Sequence, residues 1–164
     1  MGPSAVDVSG VPQTRSLLAR FEPDLLKRLD RRLNSVARDL RSGAQANFER
    51  TGASGAAYTI RTRSRRGGFS KAVTTVPGSV GRGERWSSSP GVLARVFEFA
   101  SGVRNAKPQN VQRTRSLIAT LTARYGSPGR FLWAAFDERE VSIREEAASA
   151  VREAEDEYTR RLAG

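Results

Sequence analysis

The segment from Gly126 to Glu140 constrains the fold of this 164-residue chain more than any other part of the sequence. A glycine- and proline-rich turn ends at Gly129, and an apolar hexad follows from Phe131 to Phe136. The longest acidic-rich helical pattern of the chain begins directly after the hexad. A turn, a buried anchor and a helix start in close succession predict a C-terminal helix pinned onto a small domain.

Apolar residues spaced three and four apart predict a long amphipathic helix near each end of the chain. The first helix begins near Pro23 and ends near Gly52, and the last runs from about Phe131 or Asp137 to Leu162. The predicted buried stripes are Leu26, Leu29, Leu33, Val36, Ala37, Leu40 and Ala44 in the first helix, and Ile143, Ala147, Val151, Ala154, Tyr158 and Leu162 in the last.

Between these helices, alternating β-formers predict an antiparallel hairpin with strands at 57–63 and 69–76. A long glycine-, proline- and serine-rich loop is predicted over 77–91. The run Val92–Phe99 fits a helix or a strand, and we favour a short helix. Apolar spacing predicts one more helix from Arg113 to Tyr125.

The predicted fold class is therefore α+β, in which long N-terminal and C-terminal helices pack on a small antiparallel sheet. We expect a flexible N-terminal arm at 1–13 and a single domain over 14–164, in line with the usual length of one domain.

Composition excludes several kinds of chemistry. The chain has no cysteine, which rules out disulfides, thiolate metal sites and cysteine nucleophiles, and it has no histidine, the commonest general base and metal ligand. We therefore expect no enzymatic activity, no metal and no cofactor. No run reaches the ~20 apolar residues of a membrane helix, and the N-terminus lacks the features of a signal peptide. We expect a soluble protein made in a cytoplasm.

The charge is divided unevenly along the chain, whose formal net charge is +11. Residues 1–136 hold 23 Lys/Arg against 8 Asp/Glu, and residues 137–164 hold 5 against 9. Such a division fits head-to-tail attraction between identical subunits, pairing within one chain, or a solvated helix face. The first interpretation predicts an acidic face between subunits, formed by Asp137, Glu138, Glu145 and Glu153.

Two further groups of residues are candidates for contacts. Four arginines on the predicted hairpin and its turn are positioned to face DNA phosphates, with a solvated hairpin tip as the alternative. They are Arg61, Arg63, Arg65 and Arg66. Bulky aromatic residues of the second half form either a hydrophobic core or a subunit interface. They are Phe97, Phe99, Phe131, Trp133 and Phe136.

The order of several short motifs resembles the neck, or tail-completion, proteins of long-tailed bacteriophages, also known as head–tail joining or minor tail proteins. In that family a Thr-Gly turn after the first helix leads into a basic strand, here Thr51-Gly52 and Ile60–Arg63. A Val-Glu-Phe-Gly-like segment corresponds to Phe97–Ala100, and a Pro-Phe-Leu-x-Pro-Ala segment that opens the last helix corresponds to Gly129–Ala135. The residues at about 103–126 form an insertion relative to the family.

The resemblance implies a structural virion protein of the siphovirus head–tail connector. Such subunits form a homo-oligomeric ring, commonly a hexamer, between the connector or stopper and the tail-terminator or tail-tube proteins. Genomic DNA passes through the lumen on ejection. The location implied is the neck or tail of the virion, after synthesis in the host cytoplasm. The alternative that the residues leave open is a basic DNA-associated protein without catalytic activity.

Overall fold

The computed structural model describes residues 11–65, 68–76, 90–101 and 108–163. Its helices are α1 (Val11–Phe21), α2 (Pro23–Glu49), α3 (Pro90–Phe99), α4 (Val111–Tyr125), α5 (Leu132–Asp137) and α6 (Glu140–Ala163), and a 3₁₀ turn at Pro108–Asn110 precedes α4. Strands β1 (Tyr58–Arg65) and β2 (Gly68–Thr75) form a two-stranded antiparallel sheet. The predicted α+β class is confirmed, and so is the extra helix within 103–126.

The chain divides into two compact units. One, here named the terminal unit, contains Met1–Arg41, Ile60–Val73 and Glu138–Gly164. The other, the central unit, contains Ser42–Thr59 and Thr74–Asp137. The prediction of one domain over 14–164 stays a prediction.

The core of the terminal unit is aliphatic and is built by three helices. Leu18 of α1 and Leu29 of α2 are almost completely buried, because the apolar stripes of the helices face one another. The full cluster comprises Val11, Leu18, Leu25, Leu29, Ala150, Val151 and Ala154, with Leu26, Leu33 and Tyr158 packed against it. The small alanines of α6 allow close approach between the helices, and α1 contacts α6 directly.

Ion pairs and hydrogen bonds at the rim connect the helices of the terminal unit. Thr14 donates to Glu155 (2.6 Å), and Arg32 pairs with Glu153 (2.8 Å). Arg15 pairs with Asp30. Near the C-terminal end of α6, Arg161 pairs with Glu22 at 2.8 Å. The Arg32–Glu153 pair joins an acid of the C-terminal segment to a cation of the preceding chain, which is the pairing within one chain considered above.

The helix boundaries correct four details of the sequence-based prediction. Residues 11–13, assigned to the arm, belong to α1, whose buried positions include a threonine that weakens the apolar pattern. The last helix is two helices, α5 and α6, because the chain leaves the helical path at residues 138–139. Leu162, assigned to the buried stripe, is 70 % exposed in the last turn of α6. The loop predicted over 77–91 is also too long, because Pro90 and Gly91 begin α3. Residues 1–10 of the predicted arm and residues 77–89 of the predicted loop lie outside the described residues.

Candidate functional site

The central unit encloses a cluster of five aromatic rings. Phe48, near the end of α2, is fully buried, and its ring meets three others edge-on with centroid distances of 5.8–6.5 Å. Tyr125 of α4 stacks on Phe97 and meets Phe131 edge-on. The cluster therefore joins residues from α2, β1, α3, α4 and the segment before α5, and comprises Phe48, Tyr58, Phe97, Tyr125 and Phe131.

A carboxylate lies beside this cluster, and its side chain has no solvent exposure. Glu98, in the last turn of α3, is 0 % exposed. The Tyr58 hydroxyl donates to Oε2 (2.9 Å), and the backbone N–H of Leu132 donates to Oε1 (2.9 Å). The backbone N–H of Phe131 approaches both carboxylate oxygens at 3.3–3.4 Å. Since all these partners are donors, the carboxylate binds the first N–H groups of the segment that starts α5.

Arg130 makes the reciprocal contacts with the end of α3. Its Nη1 donates to the carbonyl oxygen of Phe97 (2.6 Å), and its Nη2 donates to the carbonyl oxygen of Ala100 (3.2 Å) and to the Thr122 hydroxyl (3.1 Å). A cation at this position satisfies carbonyls that have no partner within the helix and favours the negative end of the helix dipole. We name the arrangement of Tyr58, Glu98, Arg130 and the Phe131 and Leu132 N–H groups the Glu98 clamp.

Burial dominates the electrostatics of the clamp. Loss of hydration raises the pKa of Glu98, while the hydrogen bonds from Leu132, Tyr58 and Phe131 and the charge of Arg130 oppose that rise. Burial together with the nearby Glu98 raises the pKa of the Tyr58 hydroxyl, and burial lowers the pKa of Arg130. The clamp is thus held by charge-assisted hydrogen bonds in a region of low hydration.

Glycine is required where the chain enters the clamp. Gly129 has φ +91°, in the left-handed region, and its N–H donates to the carbonyl oxygen of Glu98 at 2.6 Å. A Cβ at this position would collide with the indole of Trp133. The Thr51-Gly52 turn after α2 is similar, because Gly52 has φ +84° and its N–H donates to the carbonyl oxygen of Glu49.

The predicted aromatic residues do not all lie in one group. Phe131 is buried and Phe97 is half-buried, and both belong to the ring cluster of the central unit. Trp133 and Phe136 are half-buried and meet each other edge-on at 6.2 Å. Phe99 is 48 % exposed. Phe97 and Phe131 therefore fit the core-anchor reading, while Phe99 is available for an interface.

The predicted charged residues are described only in part. Arg61 is exposed on β1. Arg63 and Arg65 belong to the same strand, but their side chains lie outside what the structure describes, as does all of Arg66. The acidic residues Asp137, Glu138, Glu145 and Glu153 are all exposed. Glu153 already pairs with Arg32 of its own chain.

The Glu98 clamp was not predicted from the sequence, since Glu98 has no neighbouring acid at a suggestive spacing. The available signal was a single acid between Phe97 and Phe99, in a helix whose only other charged residue is Arg95. A buried charge in such a setting requires a partner. Arg130, placed directly before the apolar hexad, was the corresponding signal on the other side.

Across the described residues, no group of three or more metal-ligating side chains comes together, and no described helix has the length and apolar character needed to cross a membrane. Comparison with protein-family models, with curated proteins and with solved structures finds no match for this chain.

Proposed function

We propose that the chain is a structural subunit of the head–tail connector of a long-tailed bacteriophage, in the neck or tail-completion class. In this proposal it performs no catalysis, and it assembles into a homo-oligomeric ring, of six copies in the commonest arrangement. The ring lies in the virion between the connector or stopper and the tail-terminator or tail-tube proteins, and genomic DNA crosses its lumen. The protein would be made in the host cytoplasm before assembly.

The observation that carries this proposal is the pairing of two resemblance motifs by the Glu98 clamp. The Phe97–Ala100 motif supplies the carboxylate, and the Gly129–Ala135 motif supplies Arg130 and the N–H donors. The Thr51-Gly52 turn belongs to the same compact unit. The two motifs are separated in sequence but contact each other in the fold. This contact supports the resemblance more strongly than three short sequence matches would alone.

The chemistry of the clamp also favours a structural role. A carboxylate of raised pKa in a cleft is a typical candidate for acid–base catalysis. Here the carboxylate of Glu98 has no exposed surface, and groups of the chain itself occupy both of its oxygens. Its hydrogen bonds join α3 to β1 and to the start of α5, which is the role of a structural element.

Ring formation draws on the exposed acidic residues of α6 and the segment before it. Glu138 and Glu145 are exposed, and Val141 between them is 70 % exposed. Arg139 and Arg144 are exposed in the same stretch, and Arg144 pairs with Glu140. An exposed apolar residue beside unpaired acids is a suitable contact for a basic surface of the next copy. Self-association should therefore weaken as the salt concentration rises.

Sedimentation velocity and native mass spectrometry test the ring, with the protein alone and with connector and tail-tube proteins. We expect a closed oligomer, and we expect Glu138→Lys/Glu145→Lys to raise its dissociation constant at least ~10-fold. The matched control, Asp39→Lys/Glu49→Lys, makes the same charge change on exposed residues of α2 and should leave assembly intact. A wild-type protein that stays monomeric with and without those partners would count against the proposal.

The second candidate is a basic DNA-associated protein that works outside a virion, which the exposed Arg61 and the net charge of +11 favour. It predicts steeply salt-dependent duplex binding by a monomer that ignores connector and tail proteins. The sedimentation experiment separates the two candidates, because only the connector subunit assembles with those proteins.

A further inference from the structure

The exposed face of α2 in the terminal unit carries a concentration of cations. At about 100° per residue, Lys27, Arg31 and Arg38 fall on one side of the helix, opposite the buried Leu25 and Leu29. Arg28 and Arg41 border this side. All five cations are exposed, and we name them the α2 cationic face.

Most arginines of this face have no acidic partner in the described chain. Within the residues that the structure describes, Arg31, Arg38 and Arg41 form no ion pair, while the charge of Arg28 acts on Asp24 without forming one. The neighbouring acids are few. Asp24 pairs with Lys27 at 3.0 Å, and the exposed Asp39 lies to one side of the face. The face therefore keeps an excess of positive charge.

One cation of the hairpin, Lys71, lies beside this face. Lys71 of β2 donates to the side chain of Asn34 on α2, and also to the hydroxyl of Thr62 on β1 at 3.2 Å. Asn34 is three residues after Arg31 and four before Arg38, so the hairpin contacts the helix beside this face. Burial and, second to it, the charge of Arg15 on α1 lower the pKa of Lys71.

The composition of the face indicates which kind of polyanion it fits. Protein interfaces carry apolar anchors at their centre, whereas interfaces with nucleic acid are polar and strongly positive. Among the described residues, the exposed large apolar side chains are Leu17, Phe21, Phe99, Leu117, Val141 and Leu162. None of them belongs to α2. The helix rise places Arg31 and Arg38 roughly 10 Å apart along the axis, so the two side chains can contact separate phosphates.

We infer that the α2 cationic face, extended by Lys71 at Asn34, contacts the phosphate backbone of duplex DNA. This inference rests on the proposed function, and it adds the surface of the subunit that faces the lumen. Recognition is through phosphates, without readout of bases, as suits a conduit for DNA of any sequence.

Fluorescence anisotropy with a labelled duplex of about two helical turns tests the inference on the full chain. The variant Arg31→Gln/Arg38→Gln/Arg41→Gln removes three charges from the face. Its matched control, Arg95→Gln/Arg113→Gln/Arg115→Gln, removes three exposed arginines from α3 and α4 of the central unit. Circular dichroism melting checks that both variants remain folded.

We expect the α2 variant to bind duplex at least ~10-fold more weakly near 0.1 M salt, and to reduce the slope of log K against log salt by about 2–3. The control should change the affinity less than ~3-fold and keep the slope. Equal losses in both variants, unchanged binding by the α2 variant, or no binding by the wild type would overturn the inference.

Sedimentation of the same variants separates this inference from the proposed function. If rings form normally but the α2 variant keeps its DNA affinity, the inference alone fails. If the α2 variant instead loses self-association while its DNA affinity is unchanged, the face is a contact between protein subunits and the inference is wrong. If the wild type binds duplex through this face but never assembles, the proposed ring is wrong, whereas the inferred contact with DNA phosphates is supported.

Discussion

In the central unit the buried contacts are made by five aromatic rings and one carboxylate, whereas in the terminal unit they are made by aliphatic side chains of three helices with ion pairs at the rim. A few large side chains and one polar network thus provide much of the stability of the central unit. Removing any one of them should therefore lower the free energy of unfolding strongly. The terminal unit distributes its stability over many smaller contacts, and its charged rim should respond to salt.

The comparison is tested most strongly at Phe48. Phe48→Ala removes a fully buried ring that contacts Tyr58, Phe97 and Phe131, and it should lower the free energy of unfolding by about 4 kcal/mol. Phe99→Ala, at a 48 % exposed position, is the matched control and should change it by less than about 1 kcal/mol. Urea unfolding measures both variants. Similar losses would mean that the ring cluster is not the main support of the central unit.

The Glu98 clamp should come next in magnitude. Glu98→Leu leaves the Tyr58 hydroxyl and the N–H groups of Phe131 and Leu132 without their acceptor, and we expect a loss of about 3 kcal/mol in urea unfolding. If Glu98→Leu were as stable as the wild type, the clamp would make no net contribution to the free energy of unfolding. This is the case for some buried charged groups.

A comparable effect is expected in the terminal unit from Leu18→Ala, at about 3 kcal/mol, because the side chain is fully buried in the aliphatic cluster. The adjacent Leu17, 41 % exposed on the same helix, provides the control, and Leu17→Ala should cost less than about 1 kcal/mol. Equal effects at the two positions would contradict the assignment of the buried side of α1.

The pH dependence of Glu98 sharpens the comparison further. Burial raises the pKa of Glu98 in the folded state above the unfolded value of about 4.3. The folded state then binds the proton more tightly than the unfolded state. The stabilisation of the folded state by Glu98 is therefore fully present below the unfolded-state pKa. It is lost as the pH rises through the higher folded-state pKa.

Urea unfolding of the wild type and of Glu98→Gln, repeated from pH 4 to pH 8, isolates this contribution, because the other carboxyl groups titrate in both proteins. The stability of the wild type relative to the variant should decrease as the pH rises. If the relative stability of the wild type increased with pH instead, the pKa of Glu98 would be lowered on folding, and burial would not be the dominant influence on it.

The smallest effect is expected at the rim of the terminal unit. The Arg32–Glu153 pair is about half exposed on both sides, so a double-mutant cycle to alanine should give a coupling of only about 0.5 kcal/mol, smaller at 1 M salt. A coupling energy above about 2 kcal/mol would contradict this, because ion pairs at the rim would then contribute as much to the stability of the terminal unit as its buried aliphatic side chains.

The sequence predicts well the helices in which apolar residues recur at a regular spacing. The stripe of α2 and most of the stripe of α6 follow a three-to-four spacing, and both helices were found where that spacing placed them. Helix α1 was missed because Gly10 and Pro12 resemble a loose arm and a buried threonine breaks its stripe.

The clamp depends on contacts that no local pattern contains. Glu98 meets Tyr58 and Leu132 across separations of 40 and 34 residues, so spacing along the chain gives no sign of either contact. Only the chemistry of a lone acid in an apolar helix indicates that a distant donor must exist. The exposed Leu162 shows the opposite limit, since its spacing continues the buried stripe of α6 and yet its side chain is 70 % exposed.

The central claim is that this chain works as a ring-forming subunit at the head–tail junction, and electron cryomicroscopy of phage particles that contain it tests the claim most directly. The account predicts a closed ring of identical copies between connector and tail, with the α2 cationic face toward the DNA. Particles in which the chain is absent from the junction, or a single copy with a small molecule bound in a catalytic cleft, would contradict it.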